Sequence, residues 1–256
     1  NRENTRYTNE GGWYESDKIR FRQGTPEKIG GWQRISSYTF LGVCRSLWDW
    51  VTLGGQNLVS VGTNLKFYIE RGGQYYDVTP IRSTVVLTNP FTTTNGSPTV
   101  SVADTAHGCV TGDFVTFSGA SAVGGLTLNN EYQVTVTNAN AYTITASSNA
   151  TSTATGGGTV TAEYQLNTGN EIVVPLTGWG AGAWGAGPWG EGDVTNVPIR
   201  LWSQSNFGEN LIFAYRGGPI CYWYASTGTS VRGVLLENEV GASDVPTVVN
   251  DVFVSD

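Results

Sequence analysis

Short runs of alternating apolar and polar side chains recur along most of the chain. They include Lys18-Ile19-Arg20-Phe21-Arg22, Thr99-Val100-Ser101-Val102, Asp113-Phe114-Val115-Thr116-Phe117, Tyr132-Gln133-Val134-Thr135-Val136, Ala141-Tyr142-Thr143-Ile144 and Gly158-Thr159-Val160-Thr161. A period of two buries one face of a strand and leaves the other wet. The runs are bounded by turn formers such as Gln23-Gly24-Thr25-Pro26 and Asn89-Pro90, whose side chains favour or fix turn conformations. The pattern predicts an all-β chain.

A second pattern is an internal repeat. One copy reads Leu47-Trp48-Asp49-Trp50, Gly55-Gln56-Asn57-Leu58-Val59-Ser60-Val61 and Leu65-Lys66-Phe67-Tyr68-Ile69. The other reads Leu201-Trp202-Ser203, Gly208-Glu209-Asn210-Leu211-Ile212-Phe213-Ala214 and Pro219-Ile220-Cys221-Tyr222-Trp223-Tyr224. Leu47 and Leu201 lie 154 residues apart, as do Tyr68 and Tyr222. Val245-Pro246-Thr247 echoes Val197-Pro198-Ile199 and marks a possible third copy. Units of this size with several short strands suit propeller blades, which bury both sheet faces by stacking. A run of hairpins in a sandwich is the alternative.

The gap between copies is too long for consecutive blades, so a small β-domain is expected inside it. The expected layout is an arm over 1–36, a first blade over 37–83 and an inserted β-sandwich or barrel over 84–163. A Gly/Trp-rich connector over 164–196 and further blade sequence over 197–256 follow. Insertions of this kind are tolerated at exposed loops whose ends lie close together.

Composition sharpens the picture. Charged residues make up 14% of the 256-residue chain, well under the roughly 25% of ordinary soluble domains. Its polar surface must come from Thr, Ser, Asn and Gly. The net charge of −7 is uneven, because no Lys or Arg occurs between Arg82 and Arg200. That stretch carries Asp104, Asp113, Glu131, Glu163, Glu171, Glu191 and Asp193. Such a surface does not grip phosphates and is expected to repel them. No apolar stretch is long enough for a membrane span, and Met is absent even at position 1, which suggests a processed product or part of a longer protein.

Candidate chemistry is sparse. Cys44, Cys109 and Cys221 are odd in number and far apart, so no disulfide framework is expected and a reducing cytosol suits assembly. With His107 the sole histidine, no zinc site or other cofactor is expected. His107 reads as a turn residue, the competing role being a general base. Asp113, in a Gly-Asp turn, reads as a backbone hydrogen-bond acceptor. Competing roles for Asp104 with Asp113 are a glycosidase pair or a calcium site, and Glu191-Gly192-Asp193 is a weaker cation candidate. Trp179, Trp184 and Trp189, spaced every five residues, suit a subunit interface, internal packing or stacking on sugars. The arm's Arg2, Arg6, Lys18, Arg20, Arg22, Lys28 and Arg34, with Trp13, Tyr14, Phe21 and Trp32, suit docking on a neighbouring subunit more than nucleic acid, because acidic residues interleave them.

The stretch His107-Gly108, Gly112-Asp113-Phe114-Val115, Gly125-Leu126-Thr127-Leu128-Asn129-Asn130-Glu131-Tyr132-Gln133-Val134 and Tyr142-Thr143-Ile144 resembles a small β-module of bacteriophage tail and fibre proteins. Asn130 stands where that module has Gly. Asn tolerates the left-handed conformation, so a type I′ turn at Asn129-Asn130 is expected to survive. The module carries no known activity.

The flanking sequence is similar to the propeller-containing nozzle, tail tubular and DNA-plugging proteins of short-tailed phages. Gly30-Gly31-Trp32, Ser46-Leu47-Trp48 and the two Gly-x-Asn-Leu turns carry that resemblance. It implies a virion protein assembled in the host cytoplasm. Its partners would be copies of itself in a ring, commonly a hexamer, a tail adaptor protein, and viral DNA in passage. Trp13, Arg20, Arg22, Trp32, Trp179, Trp184 and Trp189 are then expected at subunit interfaces, and His107, Asp113, Asn129 and Asn130 in turns. Two other readings stay open: a glycan-binding module using exposed Trp, and a polysaccharide depolymerase. The absence of phosphate-loop, nucleophile-elbow and dinucleotide motifs favours a protein without catalysis.

Overall fold

The computed structural model describes residues 17–31, 36–167 and 199–255. Two compact units are present, 1–37 and 38–256. In the first, β1 (Ile19–Arg22) and β2 (Thr25–Lys28) pair antiparallel. Gln23 and Gly24 both adopt positive φ, 50° and 82°, the requirement of a two-residue I′ hairpin turn.

The second unit is all-β. Its first element is a four-stranded antiparallel meander of β3 (Cys44–Val51), β4 (Asn57–Thr63), β5 (Phe67–Arg71) and β6 (Gln74–Asp77), in that spatial order. The chain then enters two sheets. The nine strands are β7 (Ile81–Thr88), β8 (Phe91–Thr93), β9 (Thr99–Ala103), β10 (Phe114–Ser118), β11 (Glu131–Gln133), β12 (Thr135–Asn138), β13 (Ala141–Thr145), β14 (Ala154–Gly156) and β15 (Thr159–Gln165). One sheet runs β11-β10-β15-β7 and the other β12-β13-β9-β8-β14. After the insert a second meander follows, β16 (Trp202–Phe207), β17 (Asn210–Tyr215), β18 (Ile220–Trp223) and β19 (Val234–Leu235). Each meander has the up-and-down strand order of a propeller blade.

The alternating pattern maps onto burial directly. In β9 Val100 and Val102 are fully buried while Thr99, Ser101 and Ala103 are exposed. These valines join Phe91, Val115, Phe117, Tyr142, Ile144, Val160 and Tyr164 in a core confined to the insert.

The meanders share a separate core of Trp50, Leu58, Phe67, Ile69, Val78, Leu166, Trp202, Leu211, Phe213, Cys221, Trp223 and Leu235. Phe67 stacks on Phe213 at 4.1 Å and meets Trp202 at 4.8 Å. Polar side chains close the seam: Trp48 Nε1 donates to Asn206 at 2.5 Å, Trp50 Nε1 to the Glu209 carbonyl at 3.1 Å, and Trp202 Nε1 to the Thr63 carbonyl at 2.7 Å. Gln204 bonds Ser46 at 2.7 Å and also takes the Ser60 hydroxyl. Repeat-equivalent residues therefore share one core: Leu58 and Leu211, Phe67 and Cys221, and Ile69 and Trp223 all belong to it.

The segment beginning at Val245 differs from a third copy. Residues 245–255 form no strand and make one isolated bridge, Gly218 to Val249. The reason lies in β16, where the hydroxyls of Ser203 and Ser205 accept the Val252 and Val254 amides at 3.0 and 3.1 Å. This segment is tied to the second meander through these side chains and the one backbone bridge at Val249, not through a ladder of its own.

Candidate functional site

The chemistry-bearing residues of the insert gather near the 104–113 loop. Ala106 and Gly108 both adopt positive φ, so the backbone turns sharply around His107. His107 Nδ1 accepts the Cys109 amide at 3.0 Å, and Nε2 donates to the Asn138 carbonyl at 2.9 Å. The ring also meets Tyr142 edge-on at 5.1 Å. Both nitrogens are thus engaged in a buried turn.

Asp113, buried, accepts the Val110 amide at 3.0 Å. Asp104, also buried, accepts from the Tyr164 hydroxyl at 2.5 Å, and Tyr164 pairs with Tyr142 at 2.7 Å. Burial raises both phenols, and the Asp104 bond raises Tyr164 further. Arg82 donates to the His107 carbonyl at 2.9 Å and to Cys109 Sγ at 3.1 Å. Burial nevertheless pushes the Cys109 thiol up to about 11, the Arg82 charge opposing it. A protonated, buried thiol is a poor nucleophile.

Asn129 and Asn130 correct the expected type I′ turn. Neither adopts positive φ. Instead Asn129 Oδ1 accepts the Ala120 amide at 2.6 Å and its Nδ2 donates to the Ala120 carbonyl at 2.9 Å. The side-chain amide mimics a strand partner, so this stretch is held without a left-handed residue. The Asn130 carbonyl accepts the Phe117 amide at 3.0 Å.

A second polar cluster sits between the two cores, and sequence reasoning missed it. Lys66, its side chain only 4% exposed, reaches Asp77 at 2.7 Å and also Glu131. Arg232 reaches Asp77 at 3.1 Å and Glu131 at 3.5 Å. Thr79 Oγ1 donates to Asp77 at 2.6 Å, Gln165 donates to Glu131, and Lys66 Nζ lies 4.5 Å from the Phe114 ring centroid. Burial alone would raise the Asp77 carboxyl. The charges of Lys66 and Arg232 and the bonds from Lys66 and Thr79 outweigh it and hold the group below its ordinary value. The signal that could have found this cluster is the absence of Lys and Arg from 83–199. A buried acid there must borrow its cation from outside.

Buried Arg200 lies over the Tyr215 ring at 3.6 Å and donates to the Asn167 carbonyl. Desolvation pulls its guanidinium down to about 9.

Arg20 is exposed and pairs with Glu27 across its own hairpin at 3.1 Å, and Arg22 is exposed opposite Thr25. Trp13, Trp32, Trp179, Trp184 and Trp189 lie outside the described residues, as does Glu191-Gly192-Asp193. Among the described residues no group of three or more His, Cys, Asp or Glu could hold a metal, all three cysteines are free, and no helix is long and apolar enough to cross a membrane. A groove of about 380 Å³ on the insert is lined by residues including Thr111, Glu131, Tyr132, Gln133, Thr135 and Thr145.

No protein-family model matches the chain, and no curated protein matches it. Among solved structures it is similar to phage phi92 endosialidase, with a TM-score of 0.31 and 17% identity, over 80% of this chain. The chain spans 31% of that protein's length. At this level the likeness carries no functional argument.

Proposed function

We propose that the chain is a non-catalytic structural protein of a bacteriophage tail, a ring subunit of the nozzle or tail-tube kind that forms a conduit for DNA. One observation carries the non-catalytic part. The acid, base and thiol side chains gathered at the 104–113 loop are occupied in holding the fold: His107 by two backbone groups, Asp113 by Val110, Asp104 by Tyr164, and Cys109 beside Arg82. The virion part rests on the sequence resemblance. In this reading copies of the chain would associate in a ring, commonly a hexamer, beneath an adaptor.

Four of the seven acids between Arg82 and Arg200 lie in the described residues; Glu171, Glu191 and Asp193 lie outside them. Of the acids at 104, 113, 131 and 163, two are buried, Glu131 is ion-paired, and Glu163 alone is both exposed and outside the ion pairs. The insert thus presents few exposed charges and no Lys or Arg of its own, and a surface without cations does not grip phosphates. Cryo-electron microscopy of the purified protein or native particle tests the proposal. A symmetric ring with an axial channel wide enough for a duplex is expected, and a monomer or a solid trimer would overturn it.

The groove beside Tyr132 favours a second reading, a glycan-binding tail module. Its lining carries the hydroxyls and amides of Thr111, Gln133, Thr135 and Thr145 beside Tyr132, whose ring also packs on Phe117 and the insert's core. A glycan array on the intact protein decides it: binding that Tyr132→Ala removes supports this reading, and a silent array rejects it.

A further inference from the structure

The cluster of Lys66, Asp77, Glu131 and Arg232 belongs to no activity. It lies where three parts of the chain converge. Lys66 and Asp77 come from the first meander, Glu131 from β11 of the insert, and Arg232 from the approach to β19 of the second meander. The insert contributes a carboxylate and no cation, while the meanders contribute both cations. The two apolar cores have no residue in common. At the crossing the chain passes from Tyr164, in the insert's core, through Gln165, bonded to Glu131, to Leu166, in the meanders' core.

We infer that these four charges form a latch that fixes the insert's orientation on the paired meanders, and that opening it frees the insert to move as a folded unit. Lys66 is the buried member and the other three are partly exposed. Ion pairs at a buried group add little net stability against an apolar replacement, yet losing Glu131 leaves the charge at Lys66 less compensated. Opening the latch therefore separates the two bodies without emptying either core. At the insert's base the Leu166 amide bonds the Pro80 carbonyl at 3.0 Å, and this short tie acts as the hinge. The bonds of Gly233 N to the Val78 carbonyl and of Arg232 to the Thr79 carbonyl, both 2.9 Å, join the two meanders and stay closed when the insert moves.

The meander side of the cluster, Asp77 with Lys66 and Arg232, has a defined response to acid. The titratable groups facing it are Lys66, Asp77, Glu131, Arg232 and the Tyr68 phenol, which is pushed up to about 12 chiefly by burial. The Asp77 carboxyl is held below its ordinary value, so its contribution is complete above that value. It is lost only as pH falls through the lowered one.

Scanning calorimetry of the full chain tests the inference. The parent protein is expected to melt in one transition at neutral pH. Glu131→Gln keeps the shape and the hydrogen-bonding capacity but removes the charge, and it should split the melt into two transitions. Lys66→Met with Glu131→Gln removes one charge of each sign and leaves Asp77 paired with Arg232, so it should split the melt no more than Glu131→Gln does, and Glu163→Gln, at an exposed acid of the same insert, should leave one transition. Small-angle scattering should show a larger radius of gyration for the split variants at a temperature below both transitions. A single unsplit transition with an unchanged radius for Glu131→Gln would overturn the inference. So would a split in Glu163→Gln. If the double variant fails to fold, Glu131→Gln alone separates the two outcomes.

Discussion

The insert and the paired meanders solve the same problem, burying one face of each sheet, in opposite ways. The insert draws its core from one continuous stretch, 81–165, and fills it largely with Val, Ala and Leu beside a few aromatic rings. The meanders draw theirs from segments on either side of that stretch and fill it with Trp50, Phe67, Trp202, Phe213 and Trp223. Local contacts cost little loop-closure entropy, whereas the meander seam must be closed across the whole insert. Large aromatic surfaces are suited to offset that cost, since each buries far more area than a valine. The difference teaches that the insert can hold its own fold, while each meander depends on the other.

The strongest way to break this comparison is to empty the seam. Phe67→Ala removes the ring that stacks on Phe213 and touches Trp202, and should cost about 3–5 kcal/mol. That loss should exceed what the junction between the bodies can couple, so the meanders melt first. Tryptophan fluorescence is silent to the insert, which contains no Trp, while Trp48, Trp50, Trp202 and Trp223 report on the meanders. Equal loss of amide protection in both bodies would contradict the comparison.

Crowding the seam should have a smaller effect. A Cβ on Gly62 would fall 2.4 Å from Ser46 Oγ and from Trp202 Cδ1. Gly62→Ala should therefore cost about 1–3 kcal/mol, read as a shift in the denaturant midpoint. In a Glu131→Gln background only the transition reported by Trp should move.

The smallest expected effect sharpens the other side. Asn129→Ala loses the two-point bond to Ala120 and should cost about 1 kcal/mol. It should lower the single transition of the parent without splitting it. In the Glu131→Gln background it should lower only the transition silent to Trp fluorescence.

Strand content was legible because alternation and burial share a period: Val100, Val102, Tyr142 and Ile144 are inside where the pattern predicts. The repeat was legible as motif but not as packing. The same Gly-x-Asn-Leu sequence closes the 52–56 loop between Val51 and Asn57 in one copy and the tight 208–209 turn between Phe207 and Asn210 in the other. Which face a strand presents follows from register, and a one-residue slip reverses it. Motif spacing does not record that. The turn roles of His107 and Asp113 follow from local backbone geometry and could be read locally. Asn129 could not, because its partner is Ala120, across the 120–129 excursion. The charge cluster joins positions 66, 77, 131 and 232, and only the missing cations of the insert hinted at it.

The way the chain enters and leaves the insert has a mechanical consequence. β7 and β15 are antiparallel neighbours, paired from Ile81↔Gln165 outward, and the Leu166 amide bonds the Pro80 carbonyl at their base. Tension applied along the backbone from one meander to the other crosses at that base and bypasses the rest of the insert. Load would have to unzip the β7–β15 ladder one rung at a time before it reached the insert's interior. A chain pulled in this geometry carries the insert as a side branch off the line of force, while the aromatic seam between the meanders bears the strain.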